Sequence, residues 1–263
     1  MNNSIPSRIA STIGAVLLVA LGLSAHAATS TYVGSDADAN GTVPDTGASV
    51  TARNDFLSAL DPAQTPWEEG FESFNKDDLA PLTLFGGRAS LGFSSPASPA
   101  DSSGRIENAL TGDDGSFPGR FNTTPNGKTK AWWQSSGSFT ITFKEAVEAF
   151  AFFATDLGDF DGSLLVEWFL NEQSQGEQQF DGSATGPNGS LLFFGFTNAD
   201  GFNRVEFTIT QNANGADEFD IIGFDDLIAG YLKQPTNGVP EPASLALLGL
   251  GLCGVAAFRR RRP

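Results

Sequence analysis

Between Ser138 and Lys144 the side chains alternate. Phe139, Ile141 and Phe143 fall on one side, and Thr140, Thr142 and Lys144 on the other. A period of two is the mark of a strand with one buried face. Asn203–Thr210 repeats it, with Val205, Phe207 and Ile209 set against Glu206, Thr208 and Thr210. Ser163–Leu170 alternates Leu164, Val166, Trp168 and Leu170, and carries Leu165 and Phe169 on its second face. Ala149–Ala154 and Leu191–Phe196 are apolar runs, and the first predicts a strand covered on both sides. Further strands are expected in Trp67–Phe74, Leu82–Phe85, Gly176–Phe180 and Phe219–Ile228, with Gly, Asn and Asp turns between them. Such a chain is expected to be all-β, an antiparallel β-sandwich of jelly-roll-like form. No fixed internal period supports a β-helix.

The segment before these strands reads differently. Ser49–Leu60 predicts one short N-terminal helix, with Ser49 as its cap and Phe56, Leu57 and Leu60 as its apolar stripe. Pro62 and Pro66 prevent its continuation. Ala28–Ala48 is small, polar and acidic, and is expected to be loop or disordered. Within it, Asp36, Asp38, Asn40 and Gly41 have the spacing that opens a calcium loop, but the twelfth position is Gly47 rather than Glu. An Asx-rich turn is the other reading.

Both ends carry targeting features. Arg8 precedes the apolar stretch Ile13–Leu23, and Ala25 and Ala27 flank His26 in a small-x-small cleavage pattern. At the other end, Val239-Pro240-Glu241-Pro242 leads into the apolar run Leu245–Phe258, which Arg259, Arg260, Arg261 and Arg262 terminate. An apolar helix stopped by cations is a membrane signal, although this run is shorter than the roughly 20 residues of a full span. The order of these elements resembles the PEP-CTERM sorting signal. That resemblance implies export from a Gram-negative cell, a C-terminal apolar helix that acts as a transient transmembrane helix, and cleavage by an exosortase after signal peptidase has removed the leader. The expected division is a signal peptide at 1–27, a polar preface with the helix at 28–66, a β-sandwich domain at 67–232, a linker at 233–238 and the sorting tail at 239–263.

Removing both ends alters the composition. The single histidine, His26, leaves with the leader and the single cysteine, Cys253, with the tail. The middle therefore has no disulfide, no Cys or His zinc ligand, and no triad that depends on them. Of 15 Lys+Arg and 31 Asp+Glu, the ends remove five arginines and Glu241, leaving 10 against 30, a net charge of −20. That balance argues against nucleic acid as a partner.

Three groups of residues are candidates for chemistry. Asp225 and Asp226 are adjacent in a mostly apolar strand, so their side chains are expected on opposite faces with at least one buried. The stretch from Gly223 to Gly230 resembles the closing strand of many tail-bearing proteins, and Phe71–Phe74 their opening strand. In lectin-like and carbohydrate-binding jelly rolls these two strands lie together and share a structural calcium. That resemblance implies Glu72, Asp225 and Asp226 as ligands, with Glu69 a fourth. Asp156, Asp159 and Asp161 form a second acidic loop that either folds around calcium or is an ordinary turn. Trp132 and Trp133 must face opposite ways in a strand, so one is a candidate to stack on a sugar beside Arg120, Asn122, Lys128, Lys130 and Gln134, and the other to pack in the core. No residue stands out as catalytic.

The sequence thus points to an exported, noncatalytic protein of the cell surface or extracellular matrix, with polysaccharide as the expected partner and calcium as a structural aid. A carboxylate-dependent carbohydrate hydrolase is one alternative, and a purely structural matrix protein is another.

Overall fold

The computed structural model describes residues 29–37, 39, 41–93, 104–109, 119–124, 131–158, 162–181, 189–210 and 220–233. Eleven strands and one helix follow in order: β1 (Thr29–Asp36), α1 (Ala48–Ala59), β2 (Trp67–Glu69), β3 (Leu82–Leu84), β4 (Ala89–Phe93), β5 (Arg105–Glu107), β6 (Trp132–Ser135), β7 (Phe139–Thr155), β8 (Ser163–Leu170), β9 (Gln173–Asp181), β10 (Leu191–Thr210) and β11 (Ile222–Gly230).

The expected sandwich of separate sheets is corrected by the pairing. All eleven strands belong to one open sheet, ordered β5-β6-β11-β7-β10-β8-β9, with β1 on β10, β2 on β11, and β4 joining β3 to β7. Two long strands cause this continuity. β7 has 17 residues and β10 has 20. The first half of β7 pairs with β4 and with the end of β10; its second half pairs with β11 and with the start of β10. Register shifts between Thr197 and Arg204 separate the two halves. Such shifts bend a strand, and the halves meet through aromatic side chains. Phe152 lies 5.2 Å from Phe207, and Phe139 lies 5.0 Å from Phe224, centroid to centroid.

The alternating residues behave as their period requires. Phe139, Ile141, Phe143, Val205 and Phe207 are buried in the main core with Trp133, Trp168 and Phe224. The apolar run of β7 has two covers. Phe150, Phe152 and Ala154 face the main core, whereas Ala149, Ala151 and Phe153 face a second cluster under α1, with Phe56, Leu191, Phe193 and Ile228. Truncating a core Phe of this kind to Ala costs about 3–5 kcal/mol.

Three further expectations change. Ala28–Ala48 is not a continuous loop, because Thr29–Asp36 forms β1 along β10. Phe71–Phe74 is a turn rather than a strand: Phe71 has φ 57°, and the Phe74 N–H donates to the Phe71 carbonyl at 3.0 Å. Third, α1 is the only helix among the described residues, and none of these is long and apolar enough to cross a membrane. The expected C-terminal apolar helix, and with it the transmembrane helix, therefore has no counterpart in the described fold; Val239–Pro263 lies outside it.

Candidate functional site

Asp225 and Asp226 do not point to opposite faces. The β11–β7 register breaks between Asp225 and Ile228, and Asp226 takes φ 47°. The left-handed turn aims both carboxylates at the 119–124 segment. Asp225 is 1% exposed. Its Oδ2 accepts the Thr123 N–H at 2.7 Å and the Thr124 N–H at 3.3 Å, and its Oδ1 accepts the Asp226 N–H at 2.8 Å. Asp226 accepts the Thr124 hydroxyl at 2.9 Å and the Thr123 hydroxyl at 3.2 Å. Burial, and then the neighbouring Asp226 charge, push the Asp225 carboxyl well above the usual range; burial likewise raises Asp226 despite its two threonine donors.

Other acids, three of them buried, have similar work. Glu69 takes the Phe71 N–H at 3.0 Å and the Phe85 N–H at 2.8 Å, and burial raises its pKa. Asp220 accepts the Gly158 N–H at 2.8 Å. Asp156 accepts the Gly189 N–H at 3.3 Å and lies 3.6 Å from the Arg120 guanidinium. Asp36 accepts the Ala48 N–H at 2.8 Å and the Ser49 N–H at 3.0 Å, together with the Ser49 hydroxyl, so it caps α1 from a distant strand. Each of these carboxylates ties down backbone N–H groups that a loop or helix end would otherwise leave unpaired.

This arrangement bears on the expected ligands. Glu72 and Asp226 both flank Gly70, at 3.7 Å and 3.5 Å from where its Cβ would stand; among the described residues, no group of three or more His, Cys, Asp or Glu is placed to hold a metal ion. Asp159 and Asp161 lie outside the described residues, as do Asp38 and Asn40 and the processing residues Ala25, Ala27, Pro240, Glu241, Pro242, Arg259, Arg260, Arg261 and Arg262.

Trp132 and Trp133 cannot stack on a sugar from the surface, because both are 0% exposed. The Trp132 indole N–H donates to the Ala109 carbonyl at 3.0 Å, and Trp133 packs on Phe93 and Phe139. The polar groups beside them are also engaged inward: Arg120 donates to Gln134 and Asn122 to the Ala131 carbonyl.

The one tryptophan that reaches the surface is Trp67, since Trp132, Trp133 and Trp168 are all buried. It opens β2 opposite Ala229. Its ring meets Tyr231 edge to face at 6.0 Å, and the Arg88 guanidinium carbon lies 4.6 Å from its centre. Tyr231 and Trp67 are half-buried and Arg88 is exposed. Partial burial, then the charges of Glu145 and Glu148, raise the Tyr231 phenol, while Arg88 lowers it. The 144–148 bend of β7, the end of β11 and the β3–β4 turn thus bring two aromatic rings, one cation and two carboxylates to one surface patch. Sequence reasoning missed it because its members lie far apart along the chain; Trp67 between Pro66 and two glutamates was the only local signal.

No curated protein matches this sequence. Among solved structures, the K2 cleaved adhesin domain of Lys-gingipain is similar at 15% identity and a TM-score of 0.39, over 63% of this chain and 97% of that one. A Clostridium perfringens ZmpB structure, comprising the M60 catalytic domain with CBM51-1 and CBM51-2, is similar at 13% identity and a TM-score of 0.30, over 63% of this chain and 15% of that one. The enzymatically active domain of bacteriophage CBA120 tailspike protein 4 gives 11% identity and a TM-score of 0.32, over 54% and 19%. At these TM-scores the likenesses carry no argument about activity. The tail is different: residues 238–262 match the family model of the PEP-CTERM protein-sorting motif, which marks the chain for export and for the cell surface.

Proposed function

We propose that this protein is a noncatalytic, surface-displayed binder of polysaccharide, and that Trp67, Tyr231 and Arg88 form its sugar-contacting patch. The observation that carries this reading is the surface meeting of Trp67 with Tyr231 and Arg88. Half-exposed aromatic rings offer a flat apolar face to the C–H side of a pyranose, and charged and phenolic groups around them satisfy its hydroxyls. The sorting motif supports the setting, because it delivers the domain to where extracellular polysaccharide is met. The strong negative charge of the middle favours an uncharged glycan over an anionic one, since like charges raise the cost of approach.

The hydrolase alternative needs two opposed acids across a cleft, about 5 Å or 6.5–9.5 Å apart. Asp225 and Asp226 are consecutive, share the donors of Thr123 and Thr124, and lie beneath that segment, so they suit a structural role better. A glycan array probed with the secreted protein tests the proposal. Neutral glycans should bind, and Tyr231→Ala and Arg88→Gln should each weaken binding by about 10-fold, on the scale of one lost contact of roughly 1.4 kcal/mol. Binding that is unchanged in both variants would remove the patch from the account, and no binding to any glycan would favour the purely structural reading.

A further inference from the structure

We propose that the free edge of β1 joins two copies of this chain in an antiparallel, two-fold pairing, extending the sheet across a dimer. Five strands present an unpaired edge among the described residues: β1, β2, β3, β5 and β9. An exposed edge is a template for another strand unless it is short, charged or bulged. β2, β3 and β5 have three residues each. β9 is longer, but Glu177 and Asp181 charge it, and its register with β8 shifts between Trp168 and Phe169. β1 is neither short nor bulged, and its only charge is Asp36 at one end. It pairs with β10 over eight consecutive residues without a shift, and Thr29–Ser35 carries no charge.

Several features favour a second copy as the occupant. The chain is strongly acidic, so two copies repel everywhere except where charge is missing. β1 is such a place. Its one acid, Asp36, lies at one end of the strand, half-exposed, and is held by the Ala48 and Ser49 N–H groups of α1. An antiparallel two-fold pairing also places the two Asp36 residues at opposite ends of the contact, and it closes on itself rather than running on as a fibre. Val33 stands 50% exposed on this strand, one of two large apolar side chains so exposed among the described residues. Beside it an open cleft of about 660 Å³, lined by Thr31, Tyr32 and Val33 of β1 and by Ala48, Thr51 and Asp55 of α1, leaves room for the incoming side chains, with Asp55 its one charged member. This inference does not depend on the sugar-binding reading.

Light scattering coupled to size exclusion, performed on the secreted protein over a concentration series, should give twice the monomer mass at the upper end. The double variant Thr31→Glu/Val33→Glu places carboxylates against one another across the edge and should return the mass to that of a monomer with an unchanged circular dichroism spectrum. Gln178→Glu on β9 should remain dimeric. Should the double variant unfold, spin labels decide: a nitroxide at Val33→Cys should show strong dipolar coupling between copies, and one at Gln178→Cys should not. A wild-type protein that stays monomeric throughout, a folded double variant that still dimerises, or coupling at Gln178→Cys rather than Val33→Cys would overturn the proposal.

Discussion

Asp225 shows how a domain without disulfides holds its loops. Its carboxylate reaches from the last strand to Thr123 and Thr124, about a hundred residues earlier in the chain. The tie has a pH dependence of definite sign. A carboxyl whose pKa is raised on folding binds its proton more tightly in the folded state. Its stabilising effect is therefore complete at low pH, declines as pH climbs from the unfolded value near 3.8, and is gone above the elevated folded value. Asp225→Asn removes that titration but sets an amide N–H₂ against a backbone donor, at about 1–3 kcal/mol. Thermal melts should find the variant less stable than wild type in mild acid, with the gap narrowing toward neutral pH; a gap that widens with pH would contradict the assignment. The sequence made this acid pair visible as carboxylates in an apolar strand. It could not show the left-handed turn at Asp226, which depends on a register break, nor the threonines that meet it. The expectation for Trp132 and Trp133 failed for a related reason: Ala109 accepts the Trp132 indole N–H, and the Trp133 ring lies against Gly104.

At the scale of elements, α1 is instructive. Its position was predicted to within a residue by the Phe56 and Leu60 stripe and the prolines that follow, but its cap was not. Ser49 lies inside the helix, Gly47 precedes it without a capping side chain, and Asp36 of β1 does the capping. Gly47 leaves the space, since a Cβ there would come within 2.6 Å of the Asp36 oxygens. The acid that resembled the start of a calcium loop is thus the staple between β1 and α1. Burial works to raise its pKa, but the Ser49 hydroxyl and the Ala48 and Ser49 N–H groups together bring it below 3.8. Its contribution is present above that value and lost as pH falls through the depressed one. Asp36→Asn should cost about 1 kcal/mol at neutral pH and almost nothing in strong acid, as read by denaturant titration at both pH values. An equal loss at both would mean that the charge is not what holds the helix. The small, polar residues of β1 predict a loop; the ladder to β10, not its own hydrophobicity, makes it a strand.

For the whole molecule, period-two patterning pointed to the all-β antiparallel class, and the apolar run Ala149–Ala154 marked a strand covered on both sides. The joining of two half-sheets into one was not legible, because it depends on 17- and 20-residue strands that bend, and the local pattern reads each as two shorter strands. The sorting motif was legible in full, because it is a linear signal. The candidate patch was not, because Trp67, Arg88, Glu148 and Tyr231 come together only through the β2–β11 pairing and the turn before β4. The exported domain is proposed to bind polysaccharide through this patch and to leave it intact. The most direct measurement incubates the secreted protein with the extracellular polysaccharide of the cells that make it, then follows co-sedimentation and chain length together. Protein should sediment with a polymer of unchanged length, and Tyr231→Ala and Arg88→Gln should reduce the bound fraction. Shortened polymer, or equal sedimentation of wild type and both variants, would contradict it.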